Sequence, residues 1–262
     1  MKYLASDLDG TLLQKDDSIR EEDVQAILRF KSEGNKLIIS TGRPLEGIKR
    51  ALNNYPQIKY DYLVACNGSV VLDKDDNVIY DNYIDAEIAK LIFKDIIEYK
   101  NMFVHFENEG IAYSIETEIE VKNQIGELFK NILPKEIVLN ENRKYPIISV
   151  MAIDEDIKAA EEIKNKLIKN YGDRIEAFRN QFFVDIAPKN CSKGIALKNL
   201  SDKIGIKLEN LYVIGDSYND ISMFEITDKS FTFTYAEDGV KKQANNIVNS
   251  VAECINKILV FN

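Results

Sequence analysis

Asp7 and Asp9 stand two positions apart in Asp7-Leu8-Asp9-Gly10-Thr11, directly after the short apolar run Tyr3-Leu4-Ala5. Alternate residues of an extended segment project to the same side, so a strand ending here aims both carboxylates at one point, and Gly10 allows a sharp turn beyond them. Two acids this close need a proton or a cation. Repulsion would otherwise raise one pKa, whereas a hard, oxygen-seeking ion such as Mg2+ lets both stay ionised. A calcium loop of the helix–loop–helix kind also opens with Asp-x-Asp, but it fails here on three positions. Its sixth residue would be Leu12 where glycine is required, its twelfth Ser18 where a bidentate glutamate is required, and the segment before it reads as strand. The plain alternative is a solvated acidic turn.

Three further points of the same kind follow along the chain. Lys36-Leu37-Ile38-Ile39-Ser40 is a β-branched run ending in Thr41-Gly42-Arg43-Pro44, and Tyr62-Leu63-Val64-Ala65-Cys66 ends in Asn67-Gly68. Leu211–Ile214 ends in Gly215-Asp216-Ser217-Tyr218-Asn219-Asp220, while Lys193 opens a helical stretch over 193–204. Between the first two strands, Ser18-Ile19-Arg20-Glu21 has the form of a capping box, Val24, Ile27 and Leu28 recur at helical spacing, and Gly34 stands where a helix stops, which predicts a helix over 19–33. Strand, helix, strand is the rhythm of a doubly wound α/β fold with a parallel sheet. Such a sheet gathers its strand ends at the switch point, so a carboxylate, a hydroxyl, an ammonium and an acidic metal site are expected to face one phosphate-sized space.

From 82 to 186 the rhythm changes. A helix over 85–100, strands near 103–106 and 111–115, a helix over 119–132, a strand over 147–153, a helix over 156–171 and a strand over 178–186 are expected, with none of the earlier motifs. This predicts an inserted α+β domain at 82–186 and a core made of 1–81 and 187–262.

Composition narrows the class. The 262 residues allow two ordinary domains, and no apolar run approaches the roughly 20 residues of a membrane span. An acid arrives at Asp7 before any signal-peptide apolar region could develop, so a cytoplasmic protein is expected. Cys66, Cys191 and Cys254 are far apart and His105 is the sole histidine, which argues against a disulfide framework, a zinc site and a histidine-based triad. A net charge of −9 argues against nucleic acid and anionic lipid as partners; an anionic substrate needs local cations, metal or helix ends.

With these motifs in order, the chain resembles the haloacid dehalogenase superfamily, and within it the Cof-type phosphatases that carry an inserted type IIB α/β cap. Asp7-Leu8-Asp9-Gly10-Thr11, Ser40-Thr41-Gly42-Arg43-Pro44, Ser192-Lys193-Gly194, and Gly215-Asp216-Ser217-Tyr218-Asn219-Asp220 with Met223 match its four motifs, with a cap-length gap between the second and the third. The resemblance implies a Mg2+-dependent phosphatase acting on a small phosphorylated metabolite, a sugar phosphate or a phosphorylated cofactor. Asp7 is then the nucleophile that becomes an aspartyl-phosphate, and Asp9 the general acid and later base. Asp7, the main-chain carbonyl of Asp9, Asp216 and Asp220, directly or through water, would hold the metal. Thr41, the amides of Leu8 and Gly42, Lys193 and Asn219 would hold the phosphoryl oxygens.

Singly, each residue has a duller reading: a strand-ending turn for Thr41 and Gly42, a surface charge for Lys193, a helix-start acid for Asp220. Lys193 discriminates best, because a cation at a helix start is unfavourable unless an anion sits there. Arg43 and Asn67 at strand ends are candidates to reach the substrate, as are His105, Glu107, Arg179 and Gln181 on cap loops, where a closing cap would choose the leaving group. The chain departs from the family after the fourth motif, where Phe231-Thr232-Phe233-Thr234-Tyr235-Ala236 replaces a Gly-rich segment ending in Asn-Ala, which predicts a differently shaped loop near Tyr235. A phosphomutase of the same superfamily and a phospho-acceptor signalling domain are the alternatives; the second lacks an acid such as Asp9 and needs about half this length.

Overall fold

The computed structural model describes residues 1–108, 111–116, 131–140 and 142–260, with the side chains of 107, 108, 111 and 112 outside that description. The chain divides into two compact units, Met1–Asp81 with Ser192–Asn262, and Asn82–Cys191. In chain order the first unit opens with β1 (Tyr3–Ser6), α1 (Glu21–Ser32), β2 (Lys36–Ser40), α2 (Leu45–Leu52), β3 (Tyr62–Ala65), β4 (Val70–Asp73) and β5 (Val78–Asp81). The second unit holds α3 (Ala86–Ile97), β6 (Met102–Asn108), β7 (Ile111–Ile115), β8 (Asn131–Leu133), α4 (Lys135–Asn140), β9 (Ile148–Ala152), α5 (Ile157–Tyr171), β10 (Ile175–Asn180) and β11 (Phe183–Pro188). The first unit then resumes with α6 (Lys193–Ile204), β12 (Leu211–Ile214), α7 (Ile221–Phe224), β13 (Ser230–Phe233), α8 (Asp238–Lys241), β14 (Asn246–Val248) and α9 (Val251–Val260).

The first unit is a sheet of eight strands in the order β14-β13-β12-β1-β2-β3-β4-β5. Six run parallel, with Ala5 of β1 beside Ile38 of β2 on one side and Val213 of β12 on the other, while β4 and β5 extend the edge antiparallel. The central strands are short aliphatic runs because both faces are covered: Ala5, Ile38, Val64 and Val213 join Leu197, Leu200 and Phe224 in one buried cluster, and the alternate residues Leu4, Leu37, Ile39 and Leu63 are buried as well. The chain leaves β1 to build β2 and β3 on one side and returns to build β12, β13 and β14 on the other, so the switch point lies beside β1. Every parallel strand ends on the same edge, which brings residues 7, 41, 66, 215 and 234 onto one rim.

Helix α1 buries Val24, Ala26, Ile27 and Phe30, with acids in its first turn and Arg29 and Lys31 in its last, as the helix dipole favours. The expected capping box does not form. Arg20 is the N-cap and makes no side-chain cap bond, because the amide and hydroxyl of Ser18 both donate to Asp16 Oδ1, at 3.1 and 2.6 Å. A local Asp turn outcompetes the helix for that serine.

Among the described residues the second unit has a six-stranded sheet, β10-β11-β9-β6-β7-β8, antiparallel throughout except for β7 with β8. Its helices start as their sequence suggests: Asp85 accepts from the amides of Glu87 and Ile88, and Asp156 from that of Ala159. Apolar residues of α3 and α5, among them Ile92, Phe93, Ile163 and Leu167, join Val104, Val150 and Ile186 of the sheet. Three expectations differ from what the structure shows. The single strand over 178–186 is a hairpin of β10 and β11, with Asn180 opposite Phe183 and Gln181 at φ 51° in the turn; without a glycine or an Asn-Gly pair the turn had no sequence mark. Of the expected helix over 119–132, residues 131–132 belong to β8 and the rest lies outside the described residues. The crossing expected at 186 falls after Cys191, because β11 runs on to Pro188. Among the described residues no helix is long and apolar enough to cross a membrane.

His105 sits in β6 with its ring near those of Phe103 and Phe183 (centroids 6.2 and 6.1 Å). Burial disfavours the imidazolium and lowers the pKa from about 6.5 to about 4. Protonation therefore favours the unfolded chain. The stabilising share of neutral His105 is complete above about pH 6.5 and is lost as pH falls through the window down to about 4. As the only imidazole in the chain, it is expected to give one NMR titration with a midpoint near 4; a midpoint at the solvent-exposed value would refute this placement.

Candidate active site

Asp7 leaves the end of β1 into the rim at the switch point, and its carboxylate is buried. Lys193, the first residue of α6, is fully buried; its Nζ lies 2.6 Å from Asp7 Oδ1 and 2.6 Å from Asp220 Oδ1. The anion expected at this helix start is thus supplied by two of the chain's own carboxylates. Asp220 is fixed from its other oxygen as well, Oδ2 accepting from the amides of Asp216 and Ser217 at 2.9 Å each. Asp216 follows β12 and accepts at Oδ1 from the hydroxyl of Thr11, at 2.7 Å.

Oxygens of Asp7, Asp216 and Asp220 lie within 4.8 Å of one another. If all three are ionised, these carboxylates against one ammonium leave two negative charges in excess, with Asp7 and Asp220 buried and Asp216 partly exposed. Burial, with Asp220 and Asp216 adding repulsion against the pull of Lys193, holds Asp7 well above the usual carboxylate range; burial and Asp220 push Asp216 up to about 7. For Lys193 burial works against the charge, but Asp220 and Asp7 outweigh it and keep the ammonium protonated. A hard divalent cation fits this donor set. Its oxygens are all carboxylate, its excess charge is two, and Oδ2 of Asp7 and of Asp216 are the oxygens not engaged by Lys193 or Thr11. Both oxygens of Asp220 already accept from the protein, which suits it to holding Lys193 and the Asp216 loop.

Asp9, two residues on, has a different partner. The guanidinium of Arg43 straddles its carboxylate, with Nε at 3.0 and 2.8 Å from its two oxygens and Nη2 at 2.5 Å from Oδ1. Nη2 also lies 3.4 Å from Asp17. Thr41, buried at the end of β2, has its Oγ1 accept from the Arg43 amide at 3.1 Å, leaving its own proton to donate outward. Gly42 lies half-buried between them, and Leu8 is buried. Asn67 is a buried residue at φ 50°; its amide donates to the Thr41 carbonyl at 3.0 Å and its Oδ1 accepts from Asn219 Nδ2 at 3.2 Å. Asn219 Oδ1 is buried and has no hydrogen bond among the described residues.

The first unit thus gathers Asp7, Asp9, Thr41, Arg43, Asn67, Lys193, Asp216, Asn219 and Asp220 on one rim. The pairing of Arg43 with Asp9 and the role of Asn67 as a strut between Thr41 and Asn219 had no signal in the sequence beyond their places at strand ends. Thr11 escaped notice although it belongs to the first motif. Of the residues expected on loops of the inserted segment, Gln181 lies in the turn between β10 and β11, whereas His105, Glu107 and Arg179 sit in strands. His105 is in β6, and Glu107 follows it there with its side chain outside the described residues. Arg179 is a buried residue of β10 whose Nε donates to Glu161 at 2.9 Å and whose Nη1 donates to the carbonyl of Gln181 at 3.0 Å.

Gly194 fixes how closely α6 approaches α7: a Cβ there would fall 1.8 Å from the Ser222 carbonyl oxygen. Gly194→Ala is therefore expected to push Lys193 off its two carboxylates and to destabilise the fold by about 1–3 kcal/mol, the usual range for overpacking, measured by denaturant unfolding. Wild-type stability in this variant would show that the two helices can part without cost.

A haloacid dehalogenase-like hydrolase model matches residues 4–258 of the chain. An uncharacterised protein of Mycoplasma capricolum is 27% identical over 96% of this chain and 98% of its own length. A 5-amino-6-(5-phospho-D-ribitylamino)uracil phosphatase of Bacillus subtilis is 26% identical over 99% and 98%. Among solved structures, a sugar phosphatase of subclass IIB superposes with a TM-score of 0.81 at 23% identity, covering 97% of this chain and 95% of that one. A haloacid dehalogenase-like hydrolase of B. subtilis superposes with a TM-score of 0.82 at 20% identity, over the whole of both chains. At such identities the two structures speak for the fold.

Proposed function

Because the chain belongs to the haloacid dehalogenase-like hydrolases, we propose that it is a magnesium-dependent phosphatase of small phosphorylated metabolites, with Asp7 as nucleophile. The observation that carries the reading is the grouping of Asp7, Asp216 and Asp220, two of them buried against Lys193 and the third partly exposed, which with all three ionised has an excess of two negative charges that a divalent cation would neutralise. Asp7 and Asp216 would hold Mg2+, with the Asp9 main-chain carbonyl beside them and Asp220 acting through its neighbours. Bound there, the ion would neutralise the cluster and offset charge on the phosphoryl oxygens.

The protein's own groups do the rest. Lys193, Thr41 and Asn219, with the amides of Leu8 and Gly42, would hold the phosphoryl oxygens and keep phosphorus in line with Asp7. Attack by Asp7 forms an aspartyl-phosphate and expels the alcohol, which takes its proton from Asp9; Asp9 then takes a proton from the water that cleaves the acyl phosphate. For Asp9 to serve, its ion pair with Arg43 must open, and an anionic substrate is a competing partner for that guanidinium. The transfer residues all belong to the first unit, so choice of the leaving group is assigned to the inserted unit. The named activities of the relatives, a phosphorylated ribityl compound and sugar phosphates, favour a small phosphorylated metabolite.

Asp7→Asn is expected to remove turnover on a panel of phosphorylated metabolites while the protein stays folded, since the amide is nearly isosteric but a poor nucleophile. Asp9→Asn should cost about a hundredfold or more on an alkyl phosphate and clearly less on p-nitrophenyl phosphate, whose leaving group needs no proton. Equal losses would reduce Asp9 to a structural residue. Chelation should abolish activity, Mg2+ should restore it, and Ca2+ should not, because its looser shell misplaces nucleophile and phosphorus; full activity in chelator refutes the metal.

A further inference from the structure

We propose that Tyr235 is a positioning residue for the turn that carries Asp9, gripping it through the Gly10 carbonyl. The phenol hydroxyl donates to that oxygen at 2.6 Å, across 225 positions of sequence. The turn closes on itself through two backbone bonds, Gly10 N to Leu13 O at 2.9 Å and Leu13 N to Leu8 O at 2.7 Å. Neither of these uses the Gly10 carbonyl, and Tyr235 supplies its donor from another element.

The turn needs such a fixture because it is pressed against the metal-site carboxylates. Gly10 holds a left-handed φ of +80°, and a Cβ on it would stand 2.6 Å from Asp216 Oδ2. Its two neighbours both face the site: Asp9 under Arg43, and Thr11 bonded to Asp216. A rotation of the Gly10 peptide would carry both away together.

Tyr235 is itself well held. Its ring stacks on Phe233 of β13, with centroids 4.8 Å apart and planes at 16°. Thr234 before it is tied to the next strand, its amide donating to the Val248 carbonyl and its hydroxyl to Asn249, while the Ala236 amide donates to the Phe233 carbonyl. The residue is 52% exposed, so losing the hydroxyl alone opens no cavity. This explains the unusual Phe231-Thr232-Phe233-Thr234-Tyr235-Ala236 segment: an aromatic pair at the end of β13 reaches over to the end of β1 and fixes it.

Tyr235→Phe keeps the stack and removes only the bond. Its kinetic test rests on the phosphatase reading. A neutral hydrogen bond is worth about a fivefold change, so kcat on glycerol 1-phosphate is expected to fall about fivefold. The fall should be smaller on p-nitrophenyl phosphate, with KM for both within about twofold, because a displaced Asp9 matters most where the leaving group needs its proton. Backbone amide exchange should quicken at residues 8–13 and nowhere else, and calorimetry should show weaker Mg2+ binding through the loosened Thr11–Asp216 contact. Unchanged exchange at 8–13 overturns the proposal, as does an equal fall on both substrates together with a lower melting temperature, the mark of a merely structural side chain. A wild-type protein that turns over no phosphate ester would overturn the phosphatase reading instead, and amide exchange with Mg2+ calorimetry would still decide the role of Tyr235.

Discussion

A fully buried lysine between two aspartates governs this molecule. Lys193 Nζ bridges Asp7 and Asp220, which come from opposite sides of the switch point, and neither the lysine nor Asp220 has any surface in water. A buried charge deprived of its partner costs about 3–5 kcal/mol, so each of these groups obliges the others to stay. The obligation fixes the start of α6 over β1 and brings the loop after β12 against both. Gly194, with no room for a side chain beside α7, and Asp220, which also caps the Asp216 and Ser217 amides, exist in these forms because the lysine must arrive at one point.

The same group of charges is incomplete by its own arithmetic. One ammonium cannot neutralise three carboxylates, and desolvation raises the cost of the surplus, as the elevated pKa values of Asp7 and Asp216 record. Stability alone would be better served by apolar residues here, since buried ion pairs are often replaced by them at no loss. A divalent cation would neutralise the surplus of such a carboxylate group.

How much of this was legible in the sequence follows from the range of each interaction. The strands β1, β2, β3 and β12 announce themselves because strands buried on both faces must be short apolar runs, and the polar residues that end them stand out against that background. Lys193 was readable from the conflict between its charge and a helix start. The pairing of Arg43 with Asp9, the strut of Asn67 and the bond from Tyr235 to Gly10 join residues far apart in the chain, and only strand order places them together. Local errors have local causes. Ser18 found a nearer acceptor in Asp16 than its helix offered, and the turn at Gln181-Phe182 adopts a left-handed residue without the glycine that usually signals one. Strand β13 was hidden because its threonine and its serine are buried polar residues, Thr232 donating to the Gly215 carbonyl.

Asp7 and Asp9 are the same residue type two positions apart, yet the structure gives them different surroundings. The carboxylate of Asp7 is only 6% exposed and faces a lysine that is itself out of water, whereas that of Asp9 is 38% exposed and faces an arginine that also reaches Asp17 near the surface. A buried carboxylate held by a fixed ammonium has little freedom to move or exchange protons and is suited to in-line attack. A half-exposed one, held by a long flexible arginine that can be drawn off by another anion, is suited to giving and taking a proton. The proposed division of labour between nucleophile and acid/base would therefore follow from which cation each strand-end carboxylate meets. That in turn is set by the sheet: α6 delivers its lysine beside β1 from the switch-point side, and the loop after β2 delivers Arg43 from the other.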